Sequence, residues 1–281
     1  MKLENLIKGT VGVALTLTSI GVFRDCPHLF PYSRTVTNKR MLTPEDIARK
    51  LIEEGKLHKW EYKNFVGYVK TVQNKKFIDK IEKTYRVSLE EIVDIIGQES
   101  GFIIDRPVSK IGELGTSQMR KIKANELVKR ISNPKDPLYF PEFDIKKYRF
   151  ENLSRNYDLN TLLVAARIRE IKNYIKRNNI SIDKIYNKMM LLGTRKKTYA
   201  ALGIKDSRAR HYISLWKNKS GLYKEVLVLY VAYNGGNGAL YRMKSASPKY
   251  QFVYNASCLM NNSIYFKRYR KILQNYKATY K

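Results

Sequence analysis

In segment after segment, the apolar residues of this chain recur at the three-to-four spacing of helix faces, and no stretch alternates convincingly at period two. A chain patterned in this way buries its core between helices, so the expected fold class is mainly α. Thr43 followed by Pro44 opens a helix, because threonine caps and proline is tolerated at the first helical position. Ile47, Leu51 and Ile52 then form a narrow apolar stripe that ends near Gly55. Residues 57–85 continue as lysine-rich helical segments, and the long segments after residue 158 also read as helices, without an internal repeat.

The amino end differs in kind. Lys2 and Lys8 precede fifteen uncharged residues, Gly9 to Phe23, which are followed by Arg24 and Asp25. Fifteen is short of the roughly 20 residues that span a bilayer and fits the apolar core of a secretory signal. Residues 1–26 are therefore expected to be a signal-like segment, with Ser19 and Gly21 at a possible cleavage site, or a weak anchor touching the membrane through residues 5–23. A buried amphipathic helix is the plainer alternative. Pro27, Pro31 and the polar run "SRTVTNKR" mark an extended linker up to about Leu42, so 27–84 reads as linker plus amino-terminal helices and 85–281 as the main domain.

A chain of 281 residues, 43% of them hydrophobic, has material for a real core. Its 54 Lys and Arg against 25 Asp and Glu leave a formal charge of +29. Such a charge attracts polyanions at long range and says nothing about fold. Nucleic acid, anionic lipid and anionic cell wall all qualify. Cys26 and Cys258 are too few for a disulfide scaffold, and with His28, His58 and His211 they make no ligand pair at metal-binding spacing. No metal or cofactor is expected. Nucleophile elbows, phosphate loops and dinucleotide-binding glycine patterns are lacking in the sequence.

One short stretch carries chemistry. "SLEE", Ser88 to Glu91, is a capping box, and Val87 can staple against Ile92. The helix so started runs to Gly101, a suitable carboxyl-terminal stop. Glu99 follows Ile96 by three residues and Ile92 by seven, so it shares the apolar face, and it sits at the negative end of the helix dipole. Both circumstances disfavour the ionised carboxylate, which is what a general acid working near neutral pH requires. The plain alternative is a glutamate that swings to solvent and pairs with a lysine. Downstream, "SKIGELGTSQ" (Ser109 to Gln118) has the glycines and small polar residues of a turn that lets backbone approach a ligand. Later still, "VLVLYVAYNGGNG" places Val226, Leu229, Tyr230 and Tyr233 at helical spacing before Gly235 and Gly236 end the helix.

Together these segments resemble the soluble-type lytic transglycosylases, whose catalytic domain is like goose-type lysozyme. That family's pattern is an E-S pair ending a helix, then S-x-x-G-A-x-G-L-x-Q, then A-Y-N-x-G. Glu99-Ser100, then Ser109, Gly112, Gly115 and Gln118, then Ala232-Tyr233-Asn234 with Gly236, stand at those positions in that order across roughly residues 85–245. Glu113 stands where the family has a small residue, Thr116 replaces a leucine, and Arg120-Lys121 replaces Met-Pro. Glu113 is expected to be a loop residue that faces solvent or pairs with a nearby cation such as Lys110, with a second catalytic carboxylate for plain hydrolysis as the alternative. Asn160 matches a family asparagine, whereas Val164 replaces a glycine and Arg167 falls where a tyrosine often contacts the acid.

The resemblance implies a lysozyme-like catalytic domain with an added amino-terminal helical region and a carboxyl-terminal helical extension. It implies cleavage of the β-1,4 bond between N-acetylmuramic acid and N-acetylglucosamine, with Glu99 acting first as acid and then as base. Ser100, Ser109, Gln118, Tyr233 and Asn234 would line the sugar site. Peptidoglycan glycan strands are then the expected substrate, anionic wall polymers a further partner for the basic surface, and the envelope or periplasm the location, with a virion-borne protein as the alternative. A muramidase of the same fold is the nearest competing reading. Another is a basic nucleic-acid-binding protein that keeps an inactive lysozyme-like fold, although no nucleic-acid module is seen and no nucleic acid is expected. A component of a phage particle or secretion apparatus that opens a local hole in the wall is a third reading, compatible with the enzyme.

Overall fold

The computed structural model describes residues 42–218, 224–244 and 249–279. The expected signal or anchor at 1–26 and nearly all of the linker after it lie outside these residues. Among the described residues the fold is mainly α, with one two-stranded hairpin.

The amino-terminal helices are α1 (Pro44–Glu53), α2 (Tyr62–Val72) and α3 (Lys75–Tyr85). Thr43 caps α1 through a complete capping box with Asp46, as its sequence predicts. Helix α4 (Leu89–Ser100) starts on the Ser88–Glu91 box and stops at Gly101, whose φ of 62° is left-handed. Strands β1 (Glu113–Leu114) and β2 (Met119–Arg120) pair antiparallel, and α5 (Lys121–Ile131) follows at once. The rest is helical: α6 (Tyr157–Arg177), α7 (Ile182–Gly193), α8 (Lys196–Ala200), α9 (Asp206–Lys217), α10 (Lys224–Gly235), α11 (Gly238–Lys244) and α12 (Tyr250–Thr279).

Helix α10 is buried at every position from Val226 to Ala232, which its almost wholly apolar run dictates. Helix α4 is also enclosed, by α2, α6, α10 and α12. One hydrophobic cluster runs from Ala48 to Tyr276, so the helices before residue 85 share a core with those after it.

Two glycines set how closely α4 is held. A Cβ on Gly97 would fall 2.2 Å from the Phe266 ring of α12, and one on Gly67 of α2 would fall 2.0 Å from the backbone oxygen of Phe102, just beyond the end of α4. Alanine is the better helix former by about 1 kcal/mol, but overpacking against backbone costs about 1–3 kcal/mol and here has no flexible side chain to relieve it. Gly67→Ala is therefore expected to lower the melting temperature by several degrees in thermal denaturation. An unchanged melting temperature would show that α2 and α4 can separate without loss.

Candidate functional site

Glu99 occupies the last turn of α4 and is half-buried; its Oε1 is sealed from solvent and has no hydrogen-bond partner among the described residues. Burial, and next to it the charge of Glu113, push its carboxyl up to about 7. The Tyr230 hydroxyl and the Asn234 side chain hydrogen-bond the carboxyl and act in the opposite direction, favouring its charged form. Tyr230 and Asn234 are four residues apart on α10 and so present one face to the end of α4. Asn234 is held from behind, its Oδ1 accepting from Asn255 Nδ2 of α12 at 2.8 Å.

Tyr233 is close to this carboxyl but does not orient it. Its hydroxyl donates to the Ser117 carbonyl oxygen at 2.9 Å, tying α10 to the β1–β2 turn. Burial first, then the charge of Glu99, hold the Tyr233 hydroxyl well above its ordinary value, so it stays a neutral donor. Tyr230 is the tyrosine at the acid. The three-residue step between the two puts both rings on one side of α10, and spacing alone does not say which ring reaches which partner.

Ser100 is wholly buried and spends its hydroxyl on backbone: it donates to Ile96 O at 3.0 Å and accepts from Phe102 N at 3.1 Å. It shapes the sharp exit from α4, where Gly101 and Phe102 both have positive φ. Ser109 and Gln118 close the two ends of the hairpin. The Ser109 hydroxyl accepts from Glu113 N at 3.0 Å and donates to Glu113 Oε2 at 3.2 Å, while Gln118, at a φ of 44°, donates Nε2 to Gly115 O at 2.8 Å. Gly115 has no room for a side chain, because a Cβ would lie 2.4 Å from Asn160 Oδ1. Asn160 is fully buried; it accepts from Ser117 N and donates to Leu153 O, which fixes the hairpin against the first turn of α6.

Glu113 is expected from the sequence to face solvent or to pair with Lys110. The cation it pairs with is Arg120, not Lys110: the carboxylate lies between Ser109 and Arg120, whose Nε is 3.9 Å from its Oε1, and near enough to Glu99 for its charge to be felt there. The hairpin register explains this, since Glu113 and Arg120 are direct cross-strand partners. Arg167 pairs with Glu170, which also takes Lys123 and Arg130. It is thus committed to a neighbouring ion cluster.

Asp94, on another flank of α4, also has a carboxyl raised to about 7, through burial, against the opposing charge of Lys267. It borders a cavity of about 610 Å³ lined by Tyr68, Val93, Phe266 and Leu273, which does not include Glu99. What sets Glu99 apart is the pair of donors from a second helix and a second carboxylate from the hairpin. A carboxyl balanced in this way can give up a proton and take one back. No protein-family model, curated protein or solved structure matches the chain.

The raised carboxyl has a thermodynamic signature. Between the ordinary value of 4.5 and about 7 the folded state holds a proton that the unfolded state has released, so Glu99 makes stability fall as pH rises through that window. Glu99→Gln removes this term while Asp94 contributes equally to both proteins. The variant is expected to match the wild type near pH 4 and to be the more stable by on the order of 1–3 kcal/mol at pH 8, read from denaturant unfolding. Parallel stability curves across this range would mean that the carboxyl is not desolvated.

Proposed function

We propose that this protein is a peptidoglycan lytic transglycosylase, built on a lysozyme-like arrangement of helices, that cleaves the β-1,4 bond between N-acetylmuramic acid and N-acetylglucosamine. The observation that carries the reading is the Glu99 carboxyl: half-buried with one oxygen sealed from solvent, raised to about 7, and met by donors from Tyr230 and Asn234. The order of the three motifs, Glu99-Ser100, Ser109 to Gln118 and Ala232 to Gly236, supports the same reading.

In the first step protonated Glu99 gives its proton to the leaving glycosidic oxygen as that bond breaks, and the substrate's own 2-acetamido group shares the positive charge developing at the muramic carbon. Tyr230 and Asn234 then stabilise the carboxylate left behind. In the second step that carboxylate takes the proton of the muramic C6 hydroxyl, whose oxygen closes the 1,6-anhydro ring. One group used twice needs a proton affinity near the working pH, which the opposed effects of burial and hydrogen bonding supply. Asn160, Ser117 and Tyr233 keep the hairpin in register with α10 while this happens.

Glu113 favours a second reading. A second carboxylate near the acid could activate water, and the enzyme would then be an inverting muramidase that releases reducing ends. The net charge of +29 suits either reaction, since stem-peptide carboxylates and anionic wall polymers would hold the protein at the wall by salt-screened attraction. The wall lies in the compartment that residues 1–26 are expected to address.

Glu99→Gln keeps size and polarity but no longer exchanges the proton, so lysis of purified peptidoglycan should cease while the fold persists. Turnover like that of the wild type would remove Glu99 from the reaction. Mass spectrometry of the products separates the two chemistries. Anhydro-muropeptides from the wild type, still formed by Glu113→Ala, are the expected result. Reducing ends from the wild type and an inactive Glu113→Ala would instead establish the hydrolase. The pH profile tests Tyr230: its hydroxyl favours the ionised acid, so Tyr230→Phe should move the alkaline limb of kcat/KM to higher pH. In Tyr233→Phe, where the lost bond goes to Ser117, that limb should move less.

A further inference from the structure

Helix α12 supplies more than a partner for Asn234. Gln251, Asn255, Asn262 and Tyr265 fall at steps of four, seven and three residues, which places them along one side of the helix. Gln251 donates to Asn255 Oδ1 at 2.8 Å, Asn255 donates to Asn234, and Asn262 Nδ2 donates to Gln98 Oε1 at 2.8 Å. Two amides of this row are thus fastened to residues that hydrogen-bond or adjoin Glu99. One turn beyond Asn262 the row ends at Tyr265, 39% exposed, with its ring edge-on to Trp60 at 6.0 Å between centroids.

Trp60 is 65% exposed, on a turn that is itself pinned to α12. It lies in a short 3-10 turn, Lys59–Glu61, and stacks on His58 at an interplanar angle of 9°. Glu61 beside it is fully buried, accepts from His58 N, and pairs with Arg268 of α12 at 2.5 Å; Arg268 also donates to Lys56 O. A buried ion pair is an expensive way to gain stability, whereas it fixes relative position well. Here it fixes a large exposed ring against the end of the amide row.

We propose that this row and the Trp60–Tyr265 pair form an extended subsite for a glycan strand, reaching about 15 Å along α12 from Asn255 to Tyr265 at 1.5 Å per residue. The inference rests on the proposed reaction for its direction, from the scissile bond outward. The chemistry that fits is a polymer of N-acetylated hexosamines: acetamido and hydroxyl groups meet amides, and the apolar C–H face of a ring lies on an aromatic side chain. Trp60 comes from the turn before α2 and the amides from α12, so the subsite joins parts of the chain about 200 residues apart, as the Arg268–Glu61 pair at a separation of 207 illustrates.

The chain has two tryptophans, and the other, Trp216, is 1% exposed with its Nε1 on Ser257. The difference in emission between the full chain carrying Glu99→Gln and the same chain with Trp60→Phe added therefore isolates Trp60. Titration with a β-1,4-linked N-acetylglucosamine hexamer is expected to give a saturable change in that difference. Trp60→Ala, melting as the parent does, should raise KM for long glycan strands about three- to tenfold and leave turnover of short muropeptides unchanged. A silent Trp60 at saturating hexamer, with Trp60→Ala digesting strands at the parental KM, would overturn the subsite and leave the enzyme standing. A Trp60 response to the hexamer from a wild type that releases no wall fragments would keep the subsite and remove the enzyme. A response to an oligothymidylate in place of the hexamer would overturn both in favour of a nucleic-acid groove.

Discussion

The close approach of α4 to its neighbours is the constraint on which the candidate site depends. Glycines at 67 and 97 bring α2 and α12 to distances that any side chain would forbid, so the carboxyl-terminal half of the helix is tightly packed. The same packing strips water from the end of α4, and loss of hydration is the largest cause of the raised Glu99 carboxyl. The tuning of the acid is therefore a property of the helix packing as a whole. Asp94 shows the general effect on the same helix, and the donors of α10 together with the hairpin carboxylate show how one of the two positions acquires a special environment.

The hairpin is the second element of this arrangement, and its rigidity has a polar origin. Asn160 satisfies the turn from α6, Tyr233 from α10, and Ser109 and Gln118 from within. Close by, Glu170 gathers Arg167, Arg130 and Lys123 into one cluster that joins α5 to α6. In a chain with so large an excess of cations, an acid shared by three of them offsets part of their mutual repulsion where α5 meets α6.

How much of this was legible in the sequence follows the range of the interactions. Helix α4 was readable at both ends, because a capping box and a glycine stop are local devices. The apolar face beneath Glu99 was readable from Ile92 and Ile96 for the same reason. Local pattern could not rank Tyr230 above Tyr233, since both rings lie on one side of α10 and their partners come from α4 and the hairpin. Ser100 was a site residue only by the E-S pair of the family resemblance, and its hydroxyl is spent on the turn that Gly101 begins. Glu113 looked like a loop residue, because two-residue strands leave no alternation to read and the pairing with Arg120 exists only in the hairpin register. The contribution of α12 through Asn255 and Asn262 had no local signal at all.

The span between α4 and α12 also bears on when the site comes into being. Asn262 meets Gln98 across 164 residues of chain, so the surroundings of Glu99 are completed by a segment far along the sequence. Until α12 docks, the end of α4 lies open to water and Glu99 keeps the affinity of an ordinary carboxyl, ionised at neutral pH and without a proton to give. The raised proton affinity of Glu99 is thus a property of the assembled fold, and a partly folded chain with α4 already helical carries an ordinary carboxylate at that position.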